Sequence, residues 1–341
     1  MGDFTVSLLQ HPRYVDTDKC IACGICAEKC PKKVDDEHNQ GLAKRKAIYV
    51  PYSQAVPLKY AIDPDNCIFI KKGKCGACEK FCPSGAINFN DTEKTITLQV
   101  GSVILSPGFN AFDPSPFDAY AYRTLTDVVT SLEFERILSA TGPYTGNLLR
   151  PSSMRGKKAV GKHPEKIAWL QCVGSREINR CDNGYCSSVC CMYAVKQAVM
   201  AKDHSDTPLA CTIFYMDMRT QGKDFDRYYD NAQKSGVRFI PSRIHTVESV
   251  SGTDDLRLRY IDKDGVTKAE TFDMVVLSTG LEISRDTVQL SETLGIDLDK
   301  YHFTDTDSFH PVATSVPGIY ACGVLTGPKD IPQSVMEASA A

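Results

Sequence analysis

Hydrophobic and polar residues alternate over Phe4-Thr-Val6-Ser-Leu8 ahead of Pro12, which predicts a short strand closed by a turn. The alternation returns at Thr95-Ile-Thr-Leu-Gln-Val100 and runs through Gly101 into Val103-Ile-Leu105, predicting a strand, a tight turn and a buried strand that ends on Gly108. From Asp127 to Leu138 the spacing becomes helical with acidic residues on one face, and a polar stretch containing Gly and Pro follows from Thr141 to Pro164. Strands are then predicted from Lys166 to Cys172, from Ala210 to Met216 and from Val237 to Ile240, with an amphipathic helix from Arg227 to Lys234. A hairpin folds about Asp264-Gly265 before the apolar run from Phe272 to Gly280. This order is that of a nucleotide-binding α/β domain carrying a small antiparallel crossover. Residues 316–334 read as a strand, a glycine-rich turn and the start of a helix, whose N-terminus offers N–H groups to an anion or a ring carbonyl.

Two apolar strands end in the same way, on Ser106-Pro107-Gly108 and on Ser278-Thr-Gly280. Their separation is about one nucleotide-binding domain, so each could deliver backbone toward a dinucleotide or its remnant. A buried strand that merely stops at a turn glycine reads the same way.

Composition narrows the picture. The chain has 341 residues, 42% of them hydrophobic, and a net charge of -3. No basic field recruits nucleic acid, and no apolar run approaches the length that spans a bilayer. Met1 to Ser7 lack the basic start and apolar core of a secretory signal, so the thiols are expected to be reduced, in the cytoplasm.

Cysteine is the anomaly. Eight of the 15 fall within residues 20–82, five within 172–191, and only Cys211 and Cys322 stand apart. The stretch Cys20-Ile-Ala-Cys23-Gly-Ile-Cys26-Ala-Glu-Lys-Cys30-Pro31 has the spacing with which bacterial ferredoxins hold 4Fe-4S clusters. In that pattern three thiolates curl around one cubane and the fourth serves its neighbour. A second run is present: Cys67, then Cys75-Gly-Ala-Cys78-Glu-Lys-Phe-Cys82-Pro83. The spacing therefore predicts Cys20, Cys23, Cys26 and Cys82 on one cluster, with Cys67, Cys75, Cys78 and Cys30 on the other. Zinc would need only four sulfurs, and the paired runs closed by Cys-Pro disfavour it. Ala86-Ile87-Asn-Phe89 would cover the second cluster and keep it dry.

A third group follows the strand that ends at Cys172. In a nicotinamide-binding domain that strand opens into GxGxxG; here it opens into cysteine, which disfavours a nicotinamide-linked reductase. Cys186 and Cys190 lie four apart, on one face if helical, with Cys191 about 100° further round. On spacing alone, Cys172, Cys186, Cys190 and Cys191 are either four ligands of one cluster or buried structural thiols. Cys181, in a polar loop, is left out.

Several phrases together resemble the A subunits of heterodisulfide reductases, the flavin and iron-sulfur subunits of methanogens, and their relatives in sulfate reducers and syntrophs. They are Pro12-Arg-Tyr-Val-Asp, Arg45-Lys-Ala-Ile-Tyr-Val-Pro, Gly73-Lys-Cys-Gly-Ala-Cys, Cys172-Val-Gly-Ser-Arg, Tyr185-Cys-Ser-Ser-Val-Cys-Cys-Met-Tyr-Ala-Val-Lys and Gly327-Pro-Lys-Asp-Ile. The resemblance covers nearly the whole chain, and the block from Tyr185 to Lys196 is its most specific part.

The resemblance implies an α/β thioredoxin-reductase-like fold of the FAD/NAD-binding type, incomplete in this chain, with an inserted α+β bacterial-type 2x(4Fe-4S) ferredoxin domain. It implies a third 4Fe-4S cluster on Cys172, Cys186, Cys190 and Cys191. It also implies FAD seated against Ser106, Pro107 and Gly108, and against Gly323, Lys329, Asp330, Ile331, Gln333 and Ser334. Lys196 is implied beside the isoalloxazine, where a cation stabilises an anionic reduced ring.

Expected partners are other subunits of a heterodisulfide-reductase-like complex, hydrogenase or dehydrogenase electron donors, and ferredoxin, in a hetero-oligomer. The alternative reading is a flavin-free ferredoxin-like docking module.

The expected organisation is an end strand of the flavin domain at 1–16, the ferredoxin domain at 17–95, and a return to the flavin domain with a linker at 96–160. A nucleotide-binding-like domain with the cysteine group follows at 161–282, and the C-terminal part of the flavin domain at 283–341. Relative to the family, the chain is expected to begin after a βαβ unit bearing GxGxxG and to end within a continuing helix. Cys322-Gly323-Val324 has no aspartate where many flavoproteins place one on the ribityl chain.

Overall fold

The computed structural model describes residues 2–155 and 160–341, so four positions of the predicted polar stretch, 156–159, lie outside the described residues. The chain forms two compact units, one from residues 4–100 with 139–145, the other from the remaining segments.

The smaller unit has short elements. Its helices, Ile25–Lys29, Ile68–Lys72 and Ala77–Lys80, have five, five and four residues. Two antiparallel pairs, Lys33–Asp35 with Lys44–Lys46 and Ile48–Tyr49 with Ala61–Ile62, complete its centre. Phe4–Gln10 and Lys94–Val100 pair antiparallel over seven residues as a ribbon that enters and leaves this unit. The core contains Val15, Ile48, Ile62 and Ala86 together with the buried Cys20, Cys26 and Cys67. Sulfur therefore takes up space that branched aliphatic side chains fill in an ordinary domain. Gly24 and Gly76, with φ of 82° and 77°, precede the helices that carry Cys26 and Cys78. Both runs thus turn sharply in the left-handed region after a cysteine, which glycine does without strain.

The larger unit is built on a parallel sheet of five strands in the order Arg238–Pro241, Ala210–Tyr215, Lys166–Val173, Met274–Thr279, Val128–Thr130. Its two middle strands are buried almost throughout, as a sheet covered on both faces requires. On one face Trp169 meets Phe134 edge-on at 5.4 Å and donates its indole N–H to Gln197 at 3.1 Å, fixing the helices Ser131–Leu138 and Cys190–Asp203. On the other, Leu170, Val173 and Leu277 pack against Leu256, Leu258 and Phe272 of an antiparallel sheet formed by Val247–Ser249, Leu256–Ile261 and Thr267–Phe272. That sheet is the predicted crossover, enlarged by one strand.

Three local expectations change. The stretch from Asp127 begins as a strand, because Val128, Val129 and Thr130 are buried beside Met274–Thr279, and the helix starts only at Ser131. Thr130 and Glu133 cap that helix reciprocally: the Glu133 N–H donates to Thr130 Oγ1 at 3.2 Å, and the Thr130 N–H to the Glu133 carboxylate at 2.7 Å. Val103–Leu105 is not a fully buried strand. It pairs with Ile319–Ala321 in a two-stranded parallel sheet, and Ile104 is 51% exposed. Finally, the cysteine helix begins at Cys190, because Ser188 adopts a left-handed φ of 62°, so Cys186 lies in the preceding loop.

Arg150 ties this unit together. Its side chain is buried and reaches Asp127 at 2.9 Å, Asp255 at 2.8 Å and Asp273 at 3.0 Å. Burial alone would depress its pKa, but the surrounding carboxylates reverse the sign and raise it. Asp127 in turn accepts from the Ser152 N–H and hydroxyl. Replacing Arg150 by Met leaves that buried carboxylate without its cation, and chemical denaturation should show a loss of about 3–5 kcal/mol. An unchanged midpoint would remove the network from the account of stability. Gly174→Ala tests the carboxyl end of the central strand. At φ 71° the added Cβ would come within 2.0 Å of the Phe112 ring, so Tm should fall by several degrees.

Candidate redox centres

Two voids in the smaller unit are walled by cysteine. Cys20, Cys23, Cys26 and Cys82 stand around one, closed by Val15, Tyr60 and Ala86. Cys30, Cys67, Cys75 and Cys78 stand around the other, closed by Ile48, Ile62 and Phe69. Each void takes three thiols from one run and its fourth from the other, which is the crossed grouping the spacing predicts.

The electrostatics of these thiols fit a cationic occupant. Burial pushes the Cys26 thiol up to about 11, and the neighbouring Cys20, Cys23 and Cys82 add to the shift. Burial likewise pushes Cys78 up to about 12, reinforced by Cys67 and Cys30. Four thiolates so placed repel one another until positive charge arrives among them. Burial also acts to raise Cys82, but the Ala86 N–H at 3.3 Å and the Ser84 hydroxyl outweigh it, and its net shift is downward. Among the described residues no three Cys, His, Asp or Glu side chains converge on a single ion. The sulfurs surround a space instead, and a multi-atom inorganic cluster suits that arrangement better than tetrahedral zinc with its short bonds.

The third group is packed differently. Cys172 ends the central strand with a left-handed φ of 61°, where the register to Met274–Thr279 shifts. Cys190 and Cys191 open the long helix, and all three are buried. The Cys190 thiol is hydrogen-bonded by Cys172 and Cys191, which hold its pKa well below the usual range, while those two are raised by the same contact. Cys186 accepts from the Ser188 N–H at 3.4 Å and lies beside the Arg219 guanidinium. Four thiols thus meet at one place and fit a four-thiolate group by donor chemistry. Here three of them touch instead of standing around a void. Cys181 is elsewhere, 3.4 Å from the Glu177 carbonyl.

A large open cleft of about 670 Å³ lies in the same unit, mainly apolar, with Leu132, Met192, Tyr193, Phe225 and Tyr228 in its walls. Cys190 and Lys196 both reach it, so the third thiol group borders the cleft. Of the other residues expected at a flavin, Lys329, Asp330 and Ile331 line it; Ser106, Pro107, Gly108, Gly323, Gln333 and Ser334 are not in its walls, although Phe109 is.

The helix Ile331–Ala340 offers fewer donors than its sequence suggests. Asp330 caps it by accepting the Gln333 N–H at 2.9 Å, the Ser334 N–H bonds the Asp330 carbonyl, and Pro332 has no N–H. Lys329 is ion-paired to Glu337, whose carboxylate also accepts the Gly323 N–H at 3.0 Å and the Thr326 hydroxyl at 2.9 Å. Glu337 escaped the sequence reading because nothing in its local pattern marks it; the signal was Lys329, a buried cation that requires a partner. Tyr193 escaped as well, and its hydroxyl bonds the Glu135 carboxylate. At the end of the central strand, where a nicotinamide domain needs open space above glycine, the Phe112 ring packs directly over Gly174.

Comparison with known proteins defines the class. The sequence family described as "Pyridine nucleotide-disulphide oxidoreductase" matches residues 59–341, and that described as "4Fe-4S dicluster domain" matches residues 19–86. The chain belongs to the pyridine nucleotide-disulphide oxidoreductase family, with a 4Fe-4S dicluster domain in it. Within that class its curated relatives are A subunits of heterodisulfide reductases. It is 41% identical over its full length to the iron-sulfur subunit of this kind from the CoB--CoM heterodisulfide reductase of Methanocaldococcus jannaschii, covering 50% of that protein. It is 37% identical, again over its full length and 50% of the relative, to the corresponding subunit of the H(2):CoB-CoM heterodisulfide,ferredoxin reductase of Methanothermobacter marburgensis. The chain therefore spans about half the length of the curated relatives it matches. Among solved structures, thioredoxin reductase of Lactococcus lactis aligns with 86% of this chain and 82% of its own at 17% identity and a TM-score of 0.44. The resemblance read from the sequence and the oxidoreductase class are borne out. No helix among the described residues is long and apolar enough to cross a membrane.

Proposed function

We propose that this chain is the electron-transfer part of a heterodisulfide-reductase-like enzyme. In this reading Cys20, Cys23, Cys26 and Cys82 hold one 4Fe-4S cluster, Cys30, Cys67, Cys75 and Cys78 a second, and Cys172, Cys186, Cys190 and Cys191 a third. A cluster supplies single electrons, and FAD bound in the cleft supplies a two-electron carrier. The observation that carries the reading is Cys190, which belongs both to the third thiol group and to the cleft wall, so that an electron would pass between them without crossing solvent.

The side chains have separable tasks. Ile48, Ile62 and Phe69 keep water from the second site, Val15 and Ala86 from the first, and a dry shell sets the cost of adding charge. Lys196 places a cation in the cleft wall six positions beyond Cys190, where it would favour negative charge on a bound ring. Lys329, already paired with Glu337, holds the Gly323 loop and adds little net charge to the cleft. The cleft with the thiols beside it would let electron pairs be divided between two acceptors, within a cytoplasmic hetero-oligomer that includes other reductase subunits, a hydrogenase or dehydrogenase donor, and ferredoxin.

A flavin-free ferredoxin-like docking module is the second reading, favoured by the mutual contact of Cys172, Cys190 and Cys191, which leaves that group closed. Anaerobic purification separates the two. The electron-transfer reading expects about twelve irons and one flavin per chain, and about eight irons without flavin would establish the docking module instead.

The crossed grouping has its own test. Cys82→Ser should abolish the EPR signature of the cluster held by the first run, and Cys30→Ser that of the second. The reverse pattern would reassign both ligands.

A further inference from the structure

The two cysteine runs are near-copies, yet their rims differ. Each void has one exposed thiol, Cys23 in the first and Cys75 in the second. Residues before Cys23 are apolar: Ile21, which is 65% exposed, and Ala22. Residues before Cys75 are Lys71, Lys72, Gly73 and Lys74, all exposed.

Half of the 14 cations of residues 4–100 are engaged in ion pairs or hydrogen bonds, Arg13 with the Tyr60 carbonyl among them. Lys19 pairs with Asp16, Lys29 with Glu28, Lys44 with Asp35, and Arg45 with Glu37 and Asp63, while Lys46 and Lys59 donate to the carbonyls of Cys30 and Cys20. Lys71, Lys72 and Lys74, like Lys32, Lys33, Lys80 and Lys94, have no ion-pair partner among the described residues, but only these three cluster immediately before an exposed thiol. Lysines in the last turn of a helix commonly offset its dipole, and that accounts for Lys71 and Lys72. It does not account for Lys74, which lies beyond the helix and directly precedes the exposed thiol. Residues 4–100 hold 14 Lys and Arg against 11 Asp and Glu, although the whole chain is at -3, so positive charge is concentrated in this unit.

From this we infer that Lys71, Lys72 and Lys74 form a landing site at which a small acidic electron-carrier protein docks over Cys75 and exchanges one electron with the second cluster. The inference rests on the cluster assignment proposed above. In the step the reduced carrier loses one electron, the cluster gains it, and no bond forms or breaks. Three solvated like charges beside an exposed sulfur steer an acidic partner and release it readily, which suits a carrier that must leave after each transfer.

The test uses the whole chain, prepared anaerobically with its iron counted, and a reduced acidic 2Fe-2S ferredoxin as probe. Stopped-flow rates are compared for the parent and for K71E/K72E/K74E, with a viologen bearing one sulfonate, whose one-electron-reduced form has no net charge, as the control reductant. The charge reversal should slow the ferredoxin reaction at least tenfold at low ionic strength and abolish its fall with added salt. Iron content and the viologen rate should stay at parental values. K71Q/K72Q/K74Q, should the reversal fail to fold, should show an intermediate loss.

An unchanged ferredoxin rate with full iron and a normal viologen rate would overturn the landing site alone. An equal loss in K19E/K29E/K44E, which changes net charge as much at paired lysines, would overturn it too. A chain without iron would sink the cluster assignment beneath it.

Discussion

Eight sulfurs line two sites in the smaller unit, three of them buried and two exposed at the rims, and the inner thiols resist ionisation side by side unless something positive joins them. Burial and mutual repulsion raise Cys26 and Cys78 by units of pH for that reason. The rest of the unit follows from the same constraint. Its helices are one turn long and, apart from the seven-residue ribbon, its strands have two or three residues, too short to stand by their own hydrogen bonds. The few aliphatic side chains there, Val15, Ile48, Ile62 and Ala86, close the voids more than they form a core of their own. Such a unit resembles small metal-dependent domains, in which ligand binding and folding are one free-energy change.

The larger unit solves a different problem. A parallel sheet buried on both faces has ample apolar contact, and its polar liabilities lie at the strand ends. At one end Arg150 gathers three carboxylates from separate loops. At the other, the strand that would hold open a nicotinamide crevice is sealed by Phe112 over Gly174 and by the thiols of Cys172, Cys190 and Cys191. Sulfur thus lies at the strand end where nucleotide-binding α/β domains open their crevice.

Much of this was legible in the sequence wherever a period or a fixed spacing carried it. Cys-x-x-Cys-x-x-Cys-x-x-x-Cys-Pro specifies which thiols share a wall, and the Asp264-Gly265 hairpin specifies its own register. Failures came where a neighbour distant in sequence decides the outcome. Val128 to Thr130 became a strand because Met274–Thr279 lies alongside, overriding a local helical pattern. Ile104 is exposed because its sheet has only two strands. At the candidate cleft, Lys196 lines the wall where only the family resemblance had suggested it, and nothing in the sequence marked Glu337. The Asp330 cap occupies a donor that the glycine-rich phrase alone suggests is available.

Reciprocal exchange of the last cysteine between the two runs has a consequence for biosynthesis. A nascent chain that has emerged only as far as Cys30 can supply three walls of the first void and one of the second; the second is complete only when Cys78 leaves the ribosome, and the first only when Cys82 does. Insertion of inorganic sulfide and iron is thereby coupled to completion of the whole unit, so the two halves mature together and neither can be severed from the other as a working piece.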